Sequence, residues 1–105
     1  MQAYKLYIDD IRTPKGEGWM VVRSFDEFVS TIEKLGVPKE ISFDHDLGWD
    51  YKHNREQKSG YDCAKWLVMH DLVIENFNVH SANPVGAENI KCLLKNFLKF
   101  KMAYA

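Results

Sequence analysis

The sequence predicts an α/β domain with a central, mainly parallel sheet of four to five strands. Three observations predict it. From Trp19 onward, short runs of β-favouring residues alternate with stretches of helical periodicity. Three β-favouring runs of the chain, the first of them before Trp19, end in polar residues: Asp9-Asp10, Asp44-His45-Asp46 and His80-Ser81. Residues 41–48 are apolar or β-favouring up to Phe43, charged from Asp44 and broken by Gly48. That is the pattern of a buried strand delivering chemistry to the edge of an open sheet.

Taken in order, residues 4–8 alternate and are rich in β-formers, so a first strand ends at Asp9. Residues 10–18 hold Pro14, Gly16 and Gly18 without apolar periodicity, and form a loop. Residues 19–22 are a second strand. Ser24 and Glu27 have the spacing of a capping box, and Phe25, Phe28, Val29, Ile32 and Leu35 share one face of the helix that follows. Gly36 ends that helix, and Pro38 prevents it from resuming. Residues 40–44 are a third strand, apolar enough to be central and covered on both faces.

Residues 49–58 are a polar loop. Its Trp49, Tyr51, Lys52, His53, Arg55 and Lys58 interleave aromatics with cations, a composition suited to a lid that stacks a base and attracts phosphate. Ser59 caps a helix from Gly60 to about His70, with Ala64, Leu67, Val68 and Leu72 on its apolar side. Residues 76–80 are a fourth strand. Asn83 caps a last helix that starts at Pro84. Val85, Ile90, Leu93, Leu94 and Phe97 line its inner face, and Lys91, Lys95 and Lys99 another, solvated one. Residues 100–105 read either as a short fifth strand or as the end of that helix. A parallel crossover normally needs about a dozen residues, and the loop 10–18 is shorter. The second strand is therefore either an edge strand on a tight loop or antiparallel.

The chain has 105 residues, 46% hydrophobic and 28% charged, so a single soluble domain over 1–105 is expected. The formal net charge of -1 gives no drive towards DNA or an anionic membrane. No apolar run approaches the ~18 residues of a membrane span, and residues 1–8 do not resemble a signal peptide, which predicts a cytoplasmic protein. Cys63 and Cys92 lack metal-site spacing and are expected to be reduced thiols.

Ligands of open α/β sheets bind at the carboxyl ends of the strands, where Asp9, Asp10, Asp44, His45, Asp46, His80 and Ser81 all fall. Strand alternation lets Asp9 or Asp10, Asp44, and His80 or Ser81 meet, and makes His45 the weakest member of the set. Clustered carboxylates repel each other unless a cation is present. A hard divalent ion with oxygen ligands, Mg²⁺ or Mn²⁺, resolves that repulsion and can polarise a phosphate while a histidine moves protons. The expected metal ligands are Asp9, Asp10 and Asp44, and the expected catalytic residues are Asp44, His80 and His45. Arg12, Asp46, Ser81 and Asn83 are expected to hold substrate. Arg12 fits a phosphate oxygen bidentately, or pairs with a nearby carboxylate.

These residues also carry a family resemblance. A first strand ending in an acidic pair, a third ending in Asp and a fourth ending in Ser resemble the response-regulator receiver fold. In that family the residues matching Asp9, Asp10 and Asp44 bind Mg²⁺, and the one matching Asp44 accepts a phosphoryl group. A closer resemblance is to the cyclic-phosphate processing receiver domain. It rests on Leu6-Tyr7-Ile8-Asp9-Asp10-Ile11-Arg12-Thr13-Pro14, Ile41-Ser42-Phe43-Asp44-His45-Asp46-Leu47-Gly48, Ser59-Gly60-Tyr61-Asp62 and His80-Ser81-Ala82-Asn83-Pro84-Val85-Gly86. The resemblance implies a truncated receiver-like (flavodoxin-like) three-layer fold lacking the first helix, a clear fifth strand and the last helix. It also implies hydrolysis or transfer of a cyclic phosphate, on an RNA 2′,3′-end or a cyclic nucleotide. A non-catalytic module that binds a phosphorylated ligand or a protein is the alternative, and a phosphorelay receiver is the third reading.

Overall fold

The computed structural model describes residues 2–50, 55–56 and 58–103. Its elements run β1 (Gln2–Ile8), β2 (Trp19–Val22), α1 (Phe25–Leu35), β3 (Pro38–Phe43), β4 (Trp49–Asp50), β5 (Arg55–Glu56), α2 (Gly60–Met69), β6 (Asn76–Val79) and α3 (Pro84–Ala103). The four-stranded sheet has the order β2-β1-β3-β6, and each pair is parallel. This is a truncated receiver-like α/β fold. The short link before β2 therefore leads to a parallel edge strand. Gly16 and Gly18 make the tight return possible, at φ 98° and 85°, a region that side chains disfavour.

The helix boundaries follow local chemistry. At α1 the Ser24 hydroxyl accepts from the Glu27 amide at 3.2 Å. The Glu27 carboxylate does not close a capping box, because it takes the Arg23 amide instead, at 2.9 Å. The complete box is at α2, where Ser59 accepts from the Asp62 amide and Asp62 accepts from the Ser59 amide at 2.7 Å. Ser59→Ala is expected to lower stability by about 1 kcal/mol, read as a lower denaturant midpoint at unchanged slope. Pro38 is the first residue of β3, the strand position that tolerates a missing amide hydrogen. The chain end is helical to Ala103, so the fifth-strand alternative falls and β6 is a sheet edge.

Buried residues of the three helices, among them Phe28, Ile32, Leu67, Ile90 and Leu94, form one core with Leu6, Ile8, Ile41 and Phe43 of the sheet. Alternation turns Tyr7 and Ser42 to the opposite face. Tyr7 is buried yet stands outside that core cluster. The expected truncation thus falls on one layer: among the described residues the core cluster joins all three helices to one face of the sheet.

Within the segment expected to be a loop, β4 and β5 pair antiparallel. Tyr51, Lys52 and His53 of the expected lid lie outside the described residues. Lys58 is described, and its Nζ sits 4.6 Å from the centre of the Phe25 ring. No helix among the described residues is long and apolar enough to cross a membrane.

Candidate metal centre

Register brings the strand tips level. Ile8 is paired with Phe43, and Phe43 with Val79. The last rungs extend one residue further: the Asp9 amide bonds the Val22 carbonyl, the Asp44 amide the Ile8 carbonyl at 2.9 Å, and the His80 amide the Phe43 carbonyl at 2.9 Å. Asp9, Asp44 and His80 are therefore held at one height by backbone. One carboxylate oxygen each from Asp9, Asp10 and Asp44 lies within 4.8 Å of the other two. They line an open cleft of about 430 Å³ together with Arg12, Asp46 and Gly48.

The three carboxylates are not equivalent. Burial raises the Asp9 carboxyl, but hydrogen bonds from the Ile11 and Arg12 amides and from His80, with the Arg12 charge, outweigh it and hold it below the ordinary value. Its Oδ1 accepts from the amides of Ile11 at 2.9 Å and Arg12 at 2.8 Å. Its Oδ2 faces Arg12 Nε and His80 Nε2, each at 3.0 Å. Asp44, only 6% exposed, is raised, first by burial and then by the Asp9 charge, with Arg12 and His80 opposing. A site that resists ionising its second buried carboxylate is short of positive charge. All its donors are oxygens, which suits a hard divalent ion such as Mg²⁺ or Mn²⁺.

Arg12 supplies part of that charge. Its Nε meets Asp9, and its Nη2 lies 3.4 Å from Asp44, with the side chain half exposed. Arg23 steadies the turn by donating to the carbonyls of Arg12 at 2.7 Å and Asp9 at 3.2 Å. If a cation and Arg12 compete for these carboxylates, Arg12→Gln should tighten Mn²⁺ binding about fivefold, the scale of a solvent-screened ion pair. Titration calorimetry would read it, and weaker binding in the variant would show that Arg12 does not compete.

The remaining expected residues divide. Asp46 is exposed on the cleft wall. His80 stands behind Asp9 with both ring nitrogens engaged inside the protein, Nε2 with Asp9 and Nδ1 with Ser42 Oγ at 2.7 Å. Its ring stacks on Tyr7 at 4.3 Å between centroids. His45 does not line the cleft: its Nδ1 meets Asp46 Oδ1 at 2.9 Å, and its ring lies against Gly86 of α3. Ser81 accepts the Asn83 amide at 3.0 Å, while Asn83 Oδ1 caps α3 by taking the Gly86 amide at 3.0 Å. Asn83 Nδ2 also reaches Asp46 Oδ2 at 3.5 Å.

Sequence reasoning did not single out Tyr7, Ser42, Arg23 or Gly60. Ser42 carried a signal, being a hydroxyl between two apolar residues of a buried strand, where it must find a partner. Gly60 seats the start of α2 on the backbone behind the site. Its amide donates to the His45 carbonyl at 2.8 Å, and a Cβ there would overlap the Asp44 carbonyl oxygen.

Searches of curated proteins and of solved structures return no match. A family model described as the cyclic-phosphate processing receiver domain matches residues 4–96. That span runs from β1 into α3 and includes every strand tip and turn that builds the cleft. The chain belongs to the cyclic-phosphate processing receiver domain family.

Proposed function

We propose that this protein is a metal-dependent phosphoesterase that opens a cyclic phosphate, on an RNA 2′,3′-end or a cyclic nucleotide. The observation that carries the reading is the convergence of three carboxylates beside a guanidinium in one open cleft. Asp9, Asp10 and Asp44 would hold Mg²⁺ or Mn²⁺, which when bound supplies Lewis-acid charge to a phosphate. Arg12, released from Asp9 and Asp44, would grip phosphate oxygens through its planar fork. Asp44, whose carboxyl is raised by burial and by the Asp9 charge, would take a proton from the attacking water. In the covalent variant, an Asp44 oxygen attacks phosphorus itself. The proton that Asp44 takes from water would pass to the departing oxygen, and Asp46, with the His45 ring behind it, stands on the cleft wall. His80 acts through Asp9, and Ser81 and Asn83 shape the turn beside the phosphate.

A second reading has its own support. Arg12 already bridges Asp9 and Asp44, so the pocket is neutralised enough to persist as a non-catalytic binder of a phosphorylated ligand. A panel of RNA 2′,3′-cyclic ends and cyclic nucleotides, assayed with Mg²⁺ and Mn²⁺, separates the two. Turnover by the wild type and none by Asp44→Asn is expected. If both are equally inactive, the enzyme reading is lost, and calorimetric binding of a cyclic phosphate without product supports the binder.

A further inference from the structure

Behind the cleft, on the sheet face away from the helical core, a chain of polar side chains runs from β6 through β3 to the tip of β1. Asn78 Nδ2 donates to Ser42 Oγ at 3.4 Å, Ser42 Oγ lies 2.7 Å from His80 Nδ1, and His80 Nε2 lies 3.0 Å from Asp9 Oδ2. Ser42 is 3% exposed and Asp9 1%. Tyr7, stacked on the imidazole within 6° of parallel, fixes the plane of the ring. Among the described residues no buried side-chain polar atom lacks a partner, so this chain is complete as it stands.

Its direction follows from the donors. A carboxylate only accepts, so His80 Nε2 must carry the hydrogen that meets Asp9. In the neutral ring Nδ1 is then a lone pair and accepts the Ser42 hydroxyl hydrogen, while Asn78 donates to the Ser42 oxygen. Every donor has one acceptor. The other neutral tautomer would set the Nε2 lone pair against the Asp9 carboxylate and leave the Ser42 oxygen facing two donors and its own hydrogen without this acceptor. We infer that Ser42 is a positioning residue: oriented by Asn78 and donating to Nδ1, it supports the Nε2–H tautomer that the Asp9 carboxylate requires, and so holds the His80 ring that fixes the direction of the Asp9 carboxylate at the cleft.

The role matters because Asp9 Oδ2 has two side-chain partners, Arg12 and His80. Arg12 is half exposed and is the one free to leave, whereas His80 is seated between Tyr7 and Ser42. The backbone amides keep Asp9 Oδ1, and the hold on Oδ2 that remains when the Arg12 side chain departs thus depends on the buried chain. Partners of this kind behind a metal ligand typically change metal affinity about 10–100-fold.

The consequence for metal affinity rests on the metal-dependent reading proposed above, but the tautomer does not. Long-range ¹H–¹⁵N spectra of the metal-free protein, recorded with the ring neutral, report the tautomer. The His80 signals are assigned by their loss in His80→Gln. Nε2–H is expected in the wild type, and Nδ1–H or a mixture would overturn the inference. Ser42→Ala leaves the Asp9 carboxylate as the remaining hold on the tautomer, so the Nδ1–H population is expected to rise above its wild-type level and Mn²⁺ binding to weaken about tenfold, with an unchanged circular dichroism spectrum. Wild-type affinity in a folded Ser42→Ala protein would overturn the positioning role. If Ser42→Ala does not fold, the wild-type tautomer decides. If the wild type itself binds no Mn²⁺, the metal reading fails, and the tautomers of the two proteins alone decide the inference.

Discussion

Asp44→Asn is expected to weaken Mn²⁺ binding by at least about 100-fold and at the same time to raise the melting temperature of the metal-free protein at neutral pH. The first effect removes one of three convergent carboxylates. The second follows from linkage. The Asp44 carboxyl is raised in the folded protein by burial and by the neighbouring Asp9 charge. Folding thus favours its protonated form, so the stability it contributes is fullest at acid pH and is lost as pH rises through the folded pKa. Above that pKa the native state carries an ionised, nearly buried carboxylate beside another, and asparagine keeps the shape without that charge.

Asp9 has the opposite sign. Its carboxyl is lowered despite burial, because the Ile11 and Arg12 amides, His80 and Arg12 all favour the ionised form. Its stability is present above the ordinary carboxylate range and is lost as pH falls through the folded pKa. Asp9→Asn is therefore expected to lower the metal-free melting temperature at neutral pH while also weakening Mn²⁺ binding. Calorimetric scans of both variants in chelator check the pair. A fall in both variants would mean that Asp44 is not under electrostatic strain.

Gly60→Ala is expected to be the most damaging single-methyl change, costing about 3 kcal/mol or more. The added Cβ would overlap the Asp44 carbonyl oxygen and crowd its carbonyl carbon, at 2.9 Å, and the His45 Cα, at 3.2 Å. All three are backbone, and the strand end they belong to is tied to β1 and β6 by hydrogen bonds. Relief must come from moving α2 off the sheet or from displacing Asp44, so stability and metal affinity should fall together. Gly86→Ala is the control. There the Cβ would meet the His45 ring from Cγ outward, so the whole ring must swing away and release Asp46, and a cost of about 2 kcal/mol, below that of a backbone clash, is expected. Denaturant midpoints compare the two, and a Gly60→Ala protein as stable as Gly86→Ala would show that the backbone contact yields.

The spans of β2 and α1, and the starts of α2 and α3, were legible because their signals are local. A capping side chain reaches an amide two or three residues away, and helical periodicity is written into each segment. The acidic strand ends were legible for the same reason, since a polar tip after an apolar run is a local pattern. What was not legible depends on partners distant in sequence. The Glu27 carboxylate chose the Arg23 amide over that of Ser24, a preference set by how the chain enters α1. His80 was expected to work at the cleft, and alternation alone does not reveal that its nitrogens meet residues 38 and 71 positions away.

By itself, the sequence determined that this is a receiver-like α/β chain with Asp9, Asp10 and Asp44 at strand ends. It also determined that a hard cation is the simplest answer to their charge. Only the tertiary structure decided that β2 is a parallel edge strand and that the chain end is helix. It also decided that the tips are level, because register is a property of paired strands and not of any one of them. The same pairing set the two histidines apart, turning His80 to the back of Asp9 and His45 towards Asp46 and Gly86.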